Sequence, residues 1–412
     1  MENSILILES LLKDVYNISL FPLTFLSIFF YLLSVYGILS KRKIGSKEID
    51  DKTSLPFVTI QIPVYNDPVV GRCIDACLRL DYPRKKYEIV VADDSDDPRT
   101  REIIDRYKDK VIVIRRDCRK GFKAGALNNA LKYSHGDIIV VLDSDSIPPR
   151  KFLREIVAFF KDKNVALVQA KQTYINKNLN IISKFAATLQ SIYYNFIQKL
   201  HSHLGLTFCS GSAVAIRRSI LETFKWNEES VTEDADISLK IFTKGYKTVY
   251  VDDVVVKSEV PYNIIHFLKQ QARWTFGITR AFLDNLKLLV FSKKLSFFKK
   301  LYLLFYFSLY NFLFFLVMFT FSGLTLWLIG EPRPFTFSDL IDFTKTLALT
   351  SGYLLLFFIA SRKEKIDIKD FLSPILLGLL NSINNLIFYI RAFFSKEFHW
   401  YKTPKWGNLF VK

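Results

Sequence analysis

The chain has 412 residues, half of them hydrophobic and 38 of them Phe, and its 57 Lys and Arg against 40 Asp and Glu leave a net charge of +17. So large an apolar share, concentrated in stretches without charge, argues against a wholly soluble enzyme. The basic residues cluster where those stretches end, at Lys41-Arg42-Lys43, Lys293-Lys294, Lys299-Lys300 and Arg362-Lys363-Glu364-Lys365, a pattern of membrane orientation and attraction to anionic lipid; no nucleic-acid partner is expected.

Residues 15–40 carry no charge and exceed the roughly 20 apolar residues that cross a bilayer as a helix. They are too long for the apolar core of a leader and lack a small-residue cleavage site before the basic flank, so a retained anchor over about residues 17–40 is expected in an N-terminal region 1–43. The flank places residues 41–300 in the cytosol and residues 1–14 outside.

A polar linker over 41–55 precedes Phe57–Val64, which opens an alternation of strand-like and helix-like segments. Further strands are expected at Tyr87–Ala92, Val111–Arg115, Asp137–Leu142 and Val165–Ala170, with helices near 68–80, 98–108, 124–133 and 150–161; Pro68 and Pro98 suit helix starts. This βα repetition predicts an α/β domain, residues 44–260, with a mostly parallel, covered sheet. A long helix from Leu179 to Leu200, a strand at Thr207–Ile216, a helix at 234–243 and a strand at Lys247–Val251 complete a less regular half, expected to build the acceptor side of the site.

Cys73, Cys77, Cys118 and Cys209 form no ligand-spaced set with the five His, so neither zinc nor a disulfide is expected; Cys73 and Cys77, four apart, share one buried helix face. Beyond Pro261 the pattern turns amphipathic, with Ile264, Phe267, Leu268, Gln271, Trp274 and Phe276 among Lys269, Arg273 and Arg280, which suits interface helices over 261–300. In the membrane region 301–394, the segments 301–330 and roughly 342–361 read as crossings. Residues 371–394 hold Pro374, Asn381, Asn384 and Asn385, costly against lipid, and read as interfacial or re-entrant.

Four short motifs carry chemistry. Asp93-Asp94 and Asp143-Ser144-Asp145 both follow apolar strands, at the carboxyl ends where open parallel sheets bind ligands. In a nucleotide-sugar transferase the first can accept hydrogen bonds from base and ribose, while Asp143 and Asp145 hold Mg2+ or Mn2+ on the pyrophosphate. The bland alternative is a solvated turn in which Asp96 or Asp97 caps the helix starting at Pro98. Thr232-Glu233-Asp234 precedes a helix and suits capping; functionally, Asp234 is the carboxylate that takes the proton from an attacking hydroxyl. Gln270, Arg273 and Trp274 share a helix face. Arg273 suits the charge on a departing diphosphate and Trp274 the apolar face of a sugar ring; the alternative for the pair is interfacial anchoring.

Taken in order, these motifs resemble those of the processive family-2 glycosyltransferases, the cellulose, mannan and hyaluronan synthases with their lipid-glycosylating relatives. The likeness runs from residue 57 to 277 and includes Ile62-Pro63-Val64-Tyr65-Asn66, Lys123-Ala124-Gly125-Ala126-Leu127-Asn128 and Phe208-Cys209-Ser210-Gly211-Ser212, with Trp400-Tyr401-Lys402-Thr403-Pro404-Lys405 beyond it. The resemblance implies a GT-A-type fold between transmembrane helices and an inverting transfer from a UDP- or GDP-linked sugar to a growing, β-linked glycan. It implies that Pro63, Tyr65 and Asp93 lie at the base, Lys123 near the phosphates and Cys209, Ser210 and Gly211 at the acceptor. By the same likeness Glu233 belongs to the substrate site, and the tail 395–412 is a cytosolic gating loop whose Thr403 and Lys405 cover the nucleotide. One departure is Asp67, where many relatives carry Glu.

A cytosolic tail requires an even number of crossings after residue 300, which 301–330 and 342–361 supply. Polymer synthesis in the cell membrane is the favoured expectation; three crossings are a narrow basis for a polymer channel, so a homo-oligomer is one way to build it. The alternatives are transfer of one sugar to a lipid acceptor, as in ceramide glucosyltransferases, and a non-catalytic membrane protein that binds nucleotide sugar or glycan.

Overall fold

The structure, a computed structural model, describes residues 2–40, 55–330, 336–367, 372–399 and 401–409; Lys41-Arg42-Lys43 and Trp400 lie outside the described residues. The chain opens with α1 (Glu2–Leu39), β1 (Val58–Val64), α2 (Val70–Leu78), β2 (Tyr87–Asp93), α3 (Pro98–Asp105), β3 (Ile112–Arg115), α4 (Phe122–Leu131), β4 (Ile138–Val141) and α5 (Phe152–Val157). It continues through β5 (Val165–Tyr174), α6 (Ile181–Ile192), α7 (Gln198–Leu204), β6 (Val214–Arg217), α8 (Arg218–Phe224), α9 (Glu233–Thr243), β7 (Lys247–Ser258) and α10 (Ile264–Phe291). The last helices are α11 (Phe297–Ser308), α12 (Asn311–Leu328), α13 (Phe337–Thr350), α14 (Gly352–Lys363) and α15 (Leu372–Phe394).

The strands form one seven-stranded sheet in the order β3-β2-β1-β4-β6-β5-β7. Pairings are parallel except those of β6, which runs antiparallel to both β4 and β5. Because both faces are covered, the strands are apolar almost throughout: Ile60, Ile62, Val140 and Val168 face one core with α2 and α5, and Ile139, Val141, Val214 and Ile216 face another with α9. The carboxyl ends of β1, β2 and β4 therefore converge on one edge. Cys73 and Cys77 are both buried on α2.

The first five strands lie where the alternation predicts them. The strand expected at 207–216 is confined to Val214–Arg217, because Gly211 (φ 74°) and Ala213 (φ 54°) turn the preceding segment into a loop. β7 runs on to Ser258 past a bulge at which Ala170 pairs Val251 and Lys171 pairs Val255, the extra residues including the acidic Asp252-Asp253.

Among the described residues, three helical segments are long and apolar enough to cross a membrane, Leu6–Leu39, Phe297–Leu328 and Pro374–Phe394, and α13 with α14 forms a pair bent by 55°. The first helix starts at Glu2 rather than near residue 17, and the stretch 301–330 is two helices that meet at Leu309-Tyr310. α1 and α12 run antiparallel, with Tyr16 stacked on Phe319 at 4.5 Å and Phe25 on Phe312 at 6.3 Å. α1 and α14 run parallel: the Gly352 N–H donates to Ser27 Oγ at 2.8 Å and Lys363 Nζ to the Gly37 carbonyl at 2.6 Å. Gly352 is required there, since a Cβ would stand 2.2 Å from the Ser27 carbonyl oxygen.

The helix α15 differs in its ties. Glu364, which ends α14, is held by Lys171 of β5 at 2.6 Å. Along α15, Asn384 Nδ2 donates to the Leu268 carbonyl at 3.1 Å and Arg280 Nη1 to the Ala392 carbonyl at 3.2 Å. Both contacts are with α10, and they fall in the same order along the two helices. Just after it, Phe398 packs on Phe276 of α10 at 5.0 Å. From its middle to its end, α15 is thus tied to α10.

Candidate active site

A cleft of about 220 Å³ opens at the carboxyl ends of β1, β2 and β4. One wall follows β1 and β2 and holds Pro63, Tyr65, Asp67 and Asp94; the floor is Lys123 of α4 with Asp143; the far wall holds Ser210, Gly211, Glu233 and Asp234. α10 adds Gln270, Arg273 and Trp274, and the tail adds Tyr401, Lys402, Thr403 and Lys405. Segments scattered over the sequence therefore meet in one place.

Lys123 is the electrostatic centre of the floor. Its Nζ is 2.6 Å from Asp143 Oδ1, donates to the Gly211 carbonyl at 2.8 Å and lies 3.9 Å from Glu233. Burial works against the Lys123 charge, but the carboxylates around it raise its pKa overall. Burial also works against the charge on Asp143, and Lys123, Lys405 and Arg273 outweigh it to hold this carboxyl below its usual range. Glu233 goes the other way: burial lifts it to about 7 against the pull of Lys123, with the charge of Asp234 adding to the lift. Burial likewise raises Asp234, opposed by Lys123, the Ala235 N–H and Arg273.

Asp234 stands in the first turn of α9 and accepts from the Ala235 N–H at 2.8 Å. Thr232, the residue before the helix, makes no side-chain cap. The capping alternative thus accounts for one oxygen of Asp234 only. The α10 helix approaches this turn closely at Gly277, where a Cβ would lie 2.4 Å from Thr232 Cγ2, and this contact fixes the side of the cleft to which Arg273 belongs. Arg273 Nη1 reaches the Val231 carbonyl at 3.4 Å. Buried atoms without a hydrogen-bond partner in the protein include Thr232 Oγ1, Arg273 Nε, Thr403 Oγ1 and Asp145 Oδ1. Thr232, Arg273 and Thr403 all line this cleft, so three of these atoms are at hand for a polar ligand.

The metal expectation rests on Asp143 and Asp145. Among the described residues, no three His, Cys, Asp or Glu side chains are grouped to hold an ion. A hard cation that takes one or two carboxylates and completes its shell with phosphate oxygens does not need such a group. Asp145 has one oxygen engaged, by the Glu259 N–H at 2.8 Å and Lys405 Nζ at 2.9 Å, and its Oδ1 without a partner. The donor set fits a divalent cation.

Two sequence expectations need revision. Asp93 does not face the cleft: it is buried, its Oδ2 2.7 Å from Arg115 and its Oδ1 accepting from the Ser95 N–H. Side chains alternate along a strand, so of the adjacent acids only Asp94 can point outward. Both oxygens of Asp94 accept from one guanidinium, that of Arg116, through its Nε and Nη2. Cys209 and Asp145 line not this cleft but a second cavity behind it. Asp97 caps α3 by accepting from the Arg99 and Thr100 N–H groups, as the bland reading of that turn allowed.

Sequence reasoning missed Arg119, Tyr401 and Lys402. The Arg119 guanidinium carbon lies over Tyr65, 3.3 Å from the ring centroid. Tyr401 hydrogen-bonds His266 Nδ1 at 2.6 Å, and Lys402 Nζ donates to the Asn66 carbonyl and lies 3.8 Å from Asp67. Asp67 is also bonded by Ser144 Oγ at 2.5 Å. Thr403 was the available signal for its two tail neighbours; nothing local marks Arg119.

The second cavity, about 430 Å³, shares Asp143, Ser210, Asp234, Gln270, Trp274 and Lys405 with the cleft. Its walls alternate aromatic rings with amides, Tyr174, Tyr193, Tyr194, Gln172 and Gln190 on the domain side and Tyr306, Tyr310 and Asn381 from the membrane-helix side.

Comparison with known proteins agrees with this geometry. The model of the glycosyl transferase family group 2 matches residues 138–329. Glucomannan 4-beta-mannosyltransferase 2 of Arabidopsis thaliana is 32 % identical over 62 % of this chain and 50 % of its own length. Probable glucomannan 4-beta-mannosyltransferase 6 of Oryza sativa subsp. japonica is 29 % identical over 87 % of this chain and 64 % of its own length. The chain spans about half the length of the first of these relatives. Among solved structures, the mannosyltransferase PcManGT from Pyrobaculum calidifontis, in complex with GDP-Man and Mn2+, superposes with a TM-score of 0.59 at 21 % identity, covering 88 % of this chain and 100 % of that one. The fold is of the GT-A type.

Proposed function

We propose that this chain, which carries a glycosyl transferase family 2 domain related to the glucomannan mannosyltransferases, is a membrane-bound inverting transferase that moves a hexose from a nucleotide sugar to a growing β-linked glycan. The observation that carries the proposal is that Asp143, Asp234, Gln270 and Trp274 line both the first cleft and the second cavity, with Arg273 beside them on the first. An acceptor entering from the second cavity would meet the anomeric carbon on the face opposite the leaving diphosphate, as inversion demands.

The donor occupies the first cleft, its base toward Tyr65, Arg119 and Asp94 and its diphosphate toward Lys123. Asp143 and Asp145 hold Mg2+ or Mn2+, which, when bound, offsets the charge of the leaving diphosphate. Asp234 takes the proton of the acceptor hydroxyl as that oxygen bonds the sugar C1 and the bond from C1 to the diphosphate breaks. Arg273 faces the departing charge with a planar guanidinium. Trp274 and the tyrosines of the second cavity present flat apolar surfaces between amides, which suits sugar rings better than an acyl chain. A polysaccharide is therefore the favoured acceptor, and transfer of one sugar to a lipid the second reading, because Tyr306, Tyr310 and Asn381 put part of that cavity among membrane helices.

The packing supports a topology in which α1, α11 with α12, and α13 with α14 cross the cell membrane. In it α15 lies along the interface beside α10, and the domain and tail share the cytosolic side. Membranes incubated with radiolabelled GDP- and UDP-sugars test the function: a ladder of polymer is expected, one glycolipid band favours the second reading, and binding without nucleotide diphosphate release would leave only a non-catalytic binder.

A further inference from the structure

We propose that Glu259 is the post on which the C-terminal tail docks, and that through the tail it positions the donor; the second half of this rests on reading the first cleft as the nucleotide-sugar site. Glu259 follows directly on β7, and its side chain is fully buried. Three separate parts of the chain meet on it. Its backbone N–H donates to Asp145 Oδ2 at 2.8 Å, its Oε1 is 2.7 Å from Arg72 Nη2 on α2, and its Oε2 accepts from the Gly407 N–H at 3.0 Å.

A buried carboxylate is retained only where its partners are in place. Here one partner is a backbone N–H of the tail, so the charge is compensated in full only when the tail is docked. The fit at Gly407 is close as well, since a Cβ there would stand 2.7 Å from Glu259 Oε1 and 2.8 Å from Val69 Cγ1. Only glycine brings the tail backbone this near. Four residues earlier the same tail carries Thr403 to the cleft, and two residues earlier Lys405 to Asp145. The loop that holds Asp145 is joined to the same strand end, Ile147 and Lys257 exchanging backbone bonds at 2.7 and 3.1 Å. Docking at Glu259 therefore sets Thr403, Lys405 and Asp145 relative to one another.

Gly407→Ala and Glu259→Gln separate this role from a merely structural one. The first keeps both charged partners, Arg72 and Glu259, and acts from the tail, whose added methyl would crowd Glu259 Oε1; the second keeps size and an acceptor oxygen but removes the charge. In full-length protein, trypsin cleavage after Lys402 and Lys405 should speed up about tenfold or more in each variant, as for the loss of one hydrogen bond to a charged group. Donor KM should rise by about the same factor while kcat at saturating donor changes by less than about twofold, and the double variant should be no worse than the worse single one. Unchanged tail protection in Gly407→Ala, or a fall in kcat at constant KM, would overturn the proposal. If the wild type releases no diphosphate from any nucleotide sugar, the reading of the cleft fails, and the cleavage rates alone still decide whether Glu259 docks the tail.

Discussion

Gly211 lies against Asp234 so closely that a Cβ at Gly211 would stand 3.0 Å from Asp234 Oδ2, with Lys123 Nζ 3.5 Å away. The residue also has φ 74°, a conformation that strains any side chain by roughly 1 kcal/mol or more. The loop around Gly211 is thus pressed onto the proposed base by the absence of a side chain.

Gly211→Ala should therefore lower Tm modestly and turnover strongly. The expected loss in kcat is about tenfold or more, because small displacements of a catalytic group have large effects. Nucleotide release alongside thermal unfolding checks this, and equal activity at lowered Tm would remove the loop from the chemistry.

Removing the divalent cation should stop transfer, and Asp145→Asn should abolish the dependence of nucleotide binding on that cation. Lys405 and the Glu259 N–H share one oxygen of Asp145, so the variant also frees Lys405 and should weaken tail protection. Titrating nucleotide with Mn2+ and with excess chelator measures the first effect. Full activity in chelator would refute the metal role of Asp143 and Asp145.

The pH profile should have a displaced acid limb. Burial raises Asp234 above the ordinary aspartate range, and the base works only when ionised, so kcat should fall with decreasing pH through a midpoint above that range. Lys123 opposes the shift, so Lys123→Gln should move the midpoint to still higher pH. The neighbouring Glu233, lifted to about 7, titrates with it, and the observed midpoint belongs to the pair. A midpoint that moves down in Lys123→Gln would contradict the assignment.

Much of this was legible in the sequence, and the parts that were not have physical causes. The strands β1 to β5 announce themselves because a strand covered on both faces is a continuous apolar run. The 207–213 segment reads the same way until the positive φ of Gly211 and Ala213 breaks it, and backbone handedness is invisible in a hydropathy pattern. Asp93 and Asp94 look equivalent as neighbours, whereas strand alternation sends one to Arg115 and the other to the cleft. The stretch 371–394 reads as interfacial from its asparagines; its packing along α10 could not be read, because nothing local records which helix a polar side chain meets. Glu259 went unnoticed for a related reason, since its partners Arg72 and Gly407 lie 187 and 148 residues away.

Arg273 and Trp274 should fail differently. Arg273→Lys keeps the charge but loses the planar fork, and should depress turnover with every acceptor. Trp274→Ala should impair elongation more than hydrolysis of the nucleotide sugar by water, because its ring borders the second cavity as well as the first. Both are measured in detergent, where lipid anchoring no longer matters. Proportional loss of both reactions in both variants would favour interfacial anchoring for the pair.

The central claim is that Asp234 is the base of a sugar transfer, and Asp234→Asn addresses it most directly, since the amide keeps the size and the bond from the Ala235 N–H. Donor binding by calorimetry and labelled glycan formed from the matching nucleotide sugar should be measured on the same full-length preparation. Binding should stay within a few-fold of the wild type while glycan formation falls by roughly 10²-fold or more, the scale of a lost general base. Undiminished glycan formation, or a loss of binding equal to the loss of turnover, would contradict the account.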